Sequence, residues 1–147
     1  MERVNDAALL VGRLMMAALF LSAGIPKAIG FASGGFAQGL GNMGVPFPEI
    51  VAPIAIAVEV LAPVALVLGI FPRISALLLI AFTIVATALA HKFWVYPLEQ
   101  QQAQMGQFFK NVAIIGGLLC YFVSGAGAWS FAGRRVTIVG TPEPAKA

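Results

Sequence analysis

Apolar residues gather in four long blocks along the chain, separated by short polar or glycine-rich segments. The blocks run approximately from Ala7 to Ile25, Ile50 to Phe71, Ile74 to Ala90 and Asn111 to Phe131. Each reaches or nearly reaches the ~20 residues that a helix needs to cross ~30 Å of hydrocarbon. A membrane strand would instead alternate in polarity over about ten residues, and no block alternates. The pattern predicts an all-α, polytopic membrane protein, with residues 1–147 forming one domain built as a bundle of four transmembrane helices.

The composition agrees with a membrane protein and disagrees with a soluble domain. Hydrophobic residues make up 60% of the chain and charged residues 10%, against roughly 45–50% and 25% in soluble domains. The lipid bilayer is therefore the expected partner of every helix. The net charge of +3 comes from scattered basic residues without an aromatic-interleaved basic patch, so nucleic acid is not an expected partner.

The basic residues predict the orientation of the chain. Four crossings place both termini on the same side of the membrane. That side holds Arg3, Arg73 and the tail residues Arg134, Arg135 and Lys146, whereas the opposite side holds Lys27, Lys92 and Lys110. Because Lys and Arg are in excess in cytoplasmic segments, we expect cytoplasmic N- and C-termini, with residues 132–147 forming a cytoplasmic tail.

The two longer connections fall on the outer side. The first holds six glycines between Gly30 and Gly44 with phenylalanines among them. It is either a short interfacial or re-entrant segment or a flexible loop that dips into lipid. The second begins with Phe93, Trp94 and Tyr96, which suit the headgroup region, and continues into glutamines that we expect to extend the fourth helix.

Two ionisable residues, Arg13 and Glu59, lie inside the apolar blocks. Translocon scales give about +2.5 to +3.5 kcal/mol for such a residue at a helix centre, so each needs a partner or a function. Counting residues from opposite faces of the membrane predicts similar depths for the two, within reach of an arginine side chain. We therefore predict a buried Arg13–Glu59 ion pair. It is either a structural link between two helices or the wall of a ligand site, where Pro63 would free the backbone carbonyl of Glu59.

A second polar group is predicted at the outer end of the bundle. Thr83, Thr87 and His91 are spaced by four residues and share one helix face. The threonines can donate to carbonyls of their own helix. His91 lies level with Lys27 and Asn111, and the cluster Lys27, His91 and Asn111 would bind an anion or a quinone carbonyl. The alternative is a snorkelling lysine beside a histidine that caps its helix.

The remaining polar residues argue against metal chemistry. A single histidine without a second histidine or a carboxylate pair cannot supply three or four metal ligands, so neither metal nor haem is expected. Cys120 is the only cysteine, which excludes an internal disulfide. It lies between Gly116 and Ser124 at four-residue spacing, a pattern typical of close helix packing.

Five segments together resemble the DoxX family of small four-helix membrane proteins, whose members are often described as oxidoreductases. They are GRLMMAALFLSAGIPK, GVPFP, EVLAPVALVLGIFPR, HKFW and FFKNVAIIGGLLCYFVSGAGAWS, and they extend from Gly12 to about Phe131. The resemblance implies a bacterial inner-membrane protein. Family members have been associated with thiosulfate-to-quinone electron transfer in archaea and with membrane complexes that handle oxidative stress. This chain carries no redox cofactor motif, so any electron transfer would need quinone or a redox partner protein.

These observations leave three hypotheses for function. The first is a membrane subunit of a quinone-linked redox or oxidative-stress system, with no intrinsic cofactor and with quinone as the ligand. The second is a non-catalytic scaffold that anchors a partner enzyme. A small-molecule carrier is the third, and the absence of an internal repeat in the sequence counts against it. The oligomeric state stays open, a homo-oligomer included.

Overall fold

The computed structural model describes residues 2–131, and these fold into five α-helices. They are α1 (Glu2–Ile29), α2 (Gly35–Asn42), α3 (Pro48–Leu68), α4 (Pro72–Ala90) and α5 (Leu98–Ser124), with short 3₁₀ turns at Phe31–Ser33 and Phe93–Val95. No strand occurs between residues 2 and 131. All but α2 are long and apolar enough to cross a membrane. The predicted all-α bundle of four transmembrane helices is confirmed, while the predicted tail, 132–147, lies outside the described residues.

The helices begin and end where the sequence supplies backbone signals. Pro48 and Pro72 occupy the first turns of α3 and α4, where the missing N–H costs no helical hydrogen bond. Helix α3 ends at Gly69, which adopts the left-handed conformation at φ 66°, and α5 ends before Gly125 at φ 72°. Glycine takes this conformation without the steric cost of a Cβ atom.

The helix bounds differ from the predicted blocks most at the fourth helix. Helix α5 begins at Leu98, thirteen residues before the predicted Asn111, and stops at Ser124 instead of Phe131. The glutamines that follow Leu98 are good helix formers, so the expected extension of this helix is confirmed. Helix α1 is also longer than its apolar block at both ends. At 1.5 Å per residue, α1 and α5 exceed the ~30 Å hydrocarbon thickness and reach into the polar layers.

The bundle packs in the order α1, α3, α4, α5, and each helix contacts the next. The main core contains Phe20, Leu66, Leu79, Leu118 and Tyr121, all buried. The bundle has a termini end, where α1 begins and α5 finishes, and a loop end, where α1 finishes and α5 begins. These two names describe the fold alone and carry no membrane orientation.

The glycine-rich connection is ordered and packs against α3. Its helix α2 buries Ala37 and Leu40 in a small second core with Ala52. Gly34 and Gly44 flank α2 with φ of 71° and 80°. The structure contains a short helix in this loop, and its predicted interfacial or re-entrant position in the membrane stays a prediction. This helix covers the loop end of the bundle and thereby forms one wall of a large cavity.

Candidate ligand cavity

A cavity of about 470 Å³ lies inside the loop end of the bundle, between α1, α2, α3, α4 and α5. Its walls are mostly apolar and include Leu19, Phe20, Phe36, Leu40, Phe82 and Ile114. The polar groups on its walls are Ser22, Lys27, Glu59, Thr83, His91, Lys110 and Asn111. Leu19 and Val85 line the cavity and are also 38% and 57% exposed. The cavity therefore reaches the surface that the helices present to lipid.

Lys27 and Glu59 form an ion pair on the wall of this cavity. The Lys27 ammonium donates to both carboxylate oxygens of Glu59, at 2.9 and 2.7 Å. Glu59 is 4% exposed, whereas 31% of the Lys27 side chain is exposed. The ammonium also lies 5.1 Å from the centre of the Phe36 ring, a geometry that favours a cation. The pair thus joins α1 to α3 and brings α2 against both.

The predicted Arg13–Glu59 ion pair is wrong, and the helix register explains why. Glu59 lies opposite Gly24, where a Cβ atom would be 3.1 Å from the Glu59 Cγ. Gly24 is eleven residues, about 16 Å of helix, beyond Arg13. Moreover, helical side chains lean toward the N-terminus of their helix. The Lys27 side chain therefore leans back toward Glu59, whereas that of Arg13 leans away from it.

Arg13 instead joins three backbone segments at the termini end. Its guanidinium donates to the carbonyls of Val67 and Trp129, both at 2.7 Å, and to that of Leu9 at 3.4 Å. Arg13 is 1% exposed. Val67 is in the last turn of α3, whose unpaired carbonyls carry the negative end of the helix dipole. The buried positive charge is thus compensated by a helix end, and Arg13 lies outside the large cavity.

A hydrogen-bonded polar chain follows α4 along the cavity. Thr83 and Thr87 donate to the carbonyls four residues earlier, at 2.7 and 2.6 Å, as predicted. The Asn111 amide on α5 donates to the Thr87 hydroxyl oxygen at 2.8 Å. This chain connects α4 to α5 in a region where most neighbouring side chains are apolar.

His91 ends this wall at the last turn of α4. Its Nδ1 lies 2.8 Å from the amide oxygen of Gln104 on α5. Lys110, also on the cavity wall, donates to Gln107 of its own helix. The imidazole therefore has a protein partner on one nitrogen and faces the cavity beside Asn111.

The structure places all three members of the predicted outer cluster on one cavity, but each has its own partner. Lys27 bonds to Glu59, His91 to Gln104 and Asn111 to Thr87. Whether the cluster binds a ligand stays a prediction.

Gln104 and Phe36 were not predicted as neighbours of the cluster. The early start of α5 after Pro97 was the available signal for Gln104, whereas α2 is too short for its packing to be inferred.

Within residues 2–131, no group of three His, Cys, Asp or Glu side chains is close enough to hold a metal ion. Cys120 is an exposed free thiol on the lipid-facing side of α5. Gly116 lies on the same face, and a Cβ atom added there would meet no neighbouring side chain within 4 Å. Gly116, Cys120 and Ser124 are thus all exposed, although Cys120 and Ser124 also line a small cavity beside α1.

Four helices that are long and apolar enough to cross a membrane define the chain as a polytopic integral membrane protein. Its sequence assigns the family. The DoxX family model matches residues 8–92, and the chain belongs to the DoxX family. The matched region ends just after His91 and so includes Lys27 and Glu59, while Asn111 lies beyond it.

Two relatives from Escherichia coli (strain K12) match nearly the whole chain. The inner membrane protein YphA is 35% identical over 122 residues, which cover 83% of this chain and 86% of the relative. The inner membrane protein YqjF is 32% identical over 130 residues, which cover 88% of this chain and 93% of the relative. No solved structure matches the chain significantly.

Proposed function

We propose that this protein binds a membrane quinone in the loop-end cavity and acts as a membrane subunit of a quinone-linked redox or oxidative-stress system. The observation that carries the proposal is the cavity itself. It combines apolar walls, access from lipid, an ion pair between Lys27 and the buried Glu59, and the polar groups of His91 and Asn111.

The size and chemistry of the cavity fit such a ligand. Its volume of about 470 Å³ lies within the ~300–1,000 Å³ of small-molecule pockets, which likewise combine apolar walls with a few polar groups. Lys27 would donate to a ring oxygen with the N–H that Glu59 leaves unused. His91 and Asn111 would orient the ring from the other side, and the apolar tail would leave past Leu19 and Val85 into lipid.

The quinone would supply the two-electron chemistry, and this chain would supply binding and position. The electron donor or acceptor would be a partner protein. On this proposal the protein resides in the inner membrane, as the names of its two relatives indicate for them. Its termini would be cytoplasmic, as the excess of Lys and Arg at the termini end favours.

Purification in a mild detergent, followed by organic extraction and mass spectrometry, tests the proposal. We expect a quinone at near one equivalent per protein, with the amount strongly reduced in His91→Ala. Ser22→Ala is the matched control, because Ser22 lines the same cavity but donates only to the carbonyl of Leu19 in its own helix. The proposal would be contradicted if no quinone is extracted from wild-type protein and if none binds when quinone is added.

A scaffold for a partner enzyme is the second candidate function. It is favoured by the outward-facing small residues Gly116 and Cys120 on α5, which would let another helix approach closely. Gly116→Leu should then remove co-purifying proteins without affecting the fold, because the added side chain meets no neighbouring side chain within 4 Å of its Cβ. Gly106→Leu, with equally open space near the start of α5, is the control.

A further inference from the structure

The charged side chains on the wall of the loop-end cavity do not balance. Two lysines, Lys27 and Lys110, line the cavity together with one carboxylate, that of Glu59. Glu49 and Glu99, the other acidic residues at this end of the bundle within residues 2–131, are not part of the wall. With the histidine of the wall counted as neutral, two positive charges and one negative charge leave a net charge of +1. Protonation of the histidine would only increase it.

Lys110 is the lysine of the wall that has no counter-ion. The Glu59 carboxylate already accepts from Lys27 through both of its oxygens. Within residues 2–131 Lys110 forms no salt bridge, and its ammonium donates to the uncharged amide of Gln107. Glu99 lies eleven residues, about 16 Å of helix, before Lys110 on α5. The cavity therefore has an uncompensated positive charge on its wall.

The same wall keeps hydrogen-bond donors that the described part of the protein does not use. An ammonium carries three N–H groups and an amide two. Lys27 has one N–H left after its ion pair, and Lys110 has two left after its bond to the neighbouring glutamine. The Asn111 amide donates one N–H to Thr87 and keeps the other. Unused donors beside a positive charge suit an anionic oxygen, because hydrogen bonds to an ionised acceptor are stronger than those to a neutral one.

We infer that the cavity selects ligands whose quinone ring carries a negative charge, such as an ionised ring hydroxyl, over neutral ligands of the same shape. This inference rests on the proposed function and specifies the ligand class of the same site. An anionic ring oxygen accepts from Lys110 or Asn111 and neutralises the wall. Because most of the wall is apolar, this attraction is screened less than it would be in water. A neutral ring can form hydrogen bonds but leaves the charge of Lys110 uncompensated.

The test compares an undecyl hydroxynaphthoquinone, whose hydroxyl on the quinone ring is ionised at neutral pH, with its methyl ether, which has the same ring and tail without the charge. Binding to purified protein is measured by calorimetry in a maltoside detergent, where no added lipid phosphate competes, with empty micelles as the blank. We expect the ionised probe to bind about tenfold more tightly, the effect of one charge-assisted hydrogen bond.

Two lysine variants assign the preference to the wall. Lys110→Gln keeps an N–H donor but removes the uncompensated charge, and it should reduce the ratio of the two affinities to about threefold or less. Lys92→Gln is the matched control, because Lys92 lies at the same end of the bundle but does not line the cavity. It changes the net charge of the protein equally and should retain the tenfold ratio.

The outcomes separate this inference from the proposed function. If the neutral ether binds as tightly as the ionised probe, or more tightly, the inference is overturned and the quinone site stands. A preference that persists in Lys110→Gln, or that Lys92→Gln reduces equally, would overturn the role assigned to Lys110. Binding of neither probe would overturn the inference together with the proposed function. The comparison of the two probes uses wild-type protein, so it does not depend on how the variants fold.

Discussion

At the scale of single residues, the two ionisable groups of the apolar blocks are compensated in different ways. Glu59 has a cation beside it, Lys27, which reaches it from one turn beyond the facing residue Gly24. Arg13 has carbonyl oxygens at the end of α3 and after α5. In both cases the charge is balanced between different helices, so each residue stabilises the packing of the bundle.

Glu59→Gln should lower the free energy of unfolding by about 3 kcal/mol, because it leaves the Lys27 ammonium beside an apolar cavity without its counter-charge. Thermal unfolding in detergent, followed by circular dichroism, measures the loss. The exchange Lys27→Glu with Glu59→Lys should recover part of it. Recovery by the exchange Arg13→Glu with Glu59→Arg would contradict the pairing of Lys27 with Glu59.

Arg13→Gln should lower the free energy of unfolding by about 3 kcal/mol, because the carbonyls of Val67 and Trp129 lose the charged donor that links α1 to α3 and to the segment after α5. Arg73→Gln is the control at the same end of the bundle. Arg73 is exposed and only lies over the Phe122 ring, so its loss should cost about 0.5 kcal/mol or less. Equal effects of the two substitutions on the unfolding transition would count against the role given to Arg13.

At the scale of the elements, glycines determine where α3 stops and how closely the segment after α5 packs against its end. Gly69 takes a left-handed conformation, and a Cβ atom there would collide with the side chain of Ser130 and lie 2.8 Å from that of Ala126. Gly44, after α2, has a similar conformation with open space around it. Substitutions at the two positions therefore distinguish the cost of backbone strain from the cost of disturbing close packing.

Gly69→Ala should therefore destabilise the protein by about 1–3 kcal/mol more than Gly44→Ala. Both substitutions place an alanine in the left-handed region, which costs about 1–2 kcal/mol in steric strain. Only Gly69→Ala also forces the segment after α5 away from α3. Denaturant or thermal unfolding of both variants in the same detergent measures the difference. If the two variants are equally stable, the contact between Gly69 and the segment after α5 does not contribute to the fold.

The elements were largely predictable from the sequence because a membrane helix requires a long apolar run, and such runs are easy to recognise. The ends of α3 and α5 were not, because Phe71 and Phe131 are apolar whereas the helices stop at glycines inside the apolar blocks. For the segment that forms α2, the sequence allows both an ordered and a flexible loop. Its eight residues are too few for periodicity to decide, and its order depends on packing against Ala52.

At the scale of the whole molecule, the cavity depends on contributions from all five helices. Counting residues along the helices places Lys27, His91 and Asn111 near one another, and all three line the loop-end cavity. The same counting pairs Glu59 with the wrong cation because depth is counted from the ends of the apolar blocks. Helix α1 extends beyond its block at both ends, and the lean of helical side chains shifts the charged groups further.

Orientation is also a property of the whole molecule, and thiol labelling can determine it. In a Cys120→Ala background, Gln102→Cys at the loop end and Asn5→Cys at the termini end are both exposed. With cytoplasmic termini, a membrane-impermeant maleimide added to intact spheroplasts should label the first and leave the second unlabelled until the membrane is permeabilised. The opposite labelling pattern would show that the termini are external.

The central claim is that the loop-end cavity holds a quinone, and two phenylalanine substitutions two residues apart on α4 test it most directly. Ala86→Phe fills the cavity and keeps every polar group, whereas Ala88→Phe adds the same side chain on the exposed face. After purification in mild detergent, extracted quinone per protein should be unchanged in Ala88→Phe and nearly absent in Ala86→Phe. Equal quinone content in the two variants would contradict the claim.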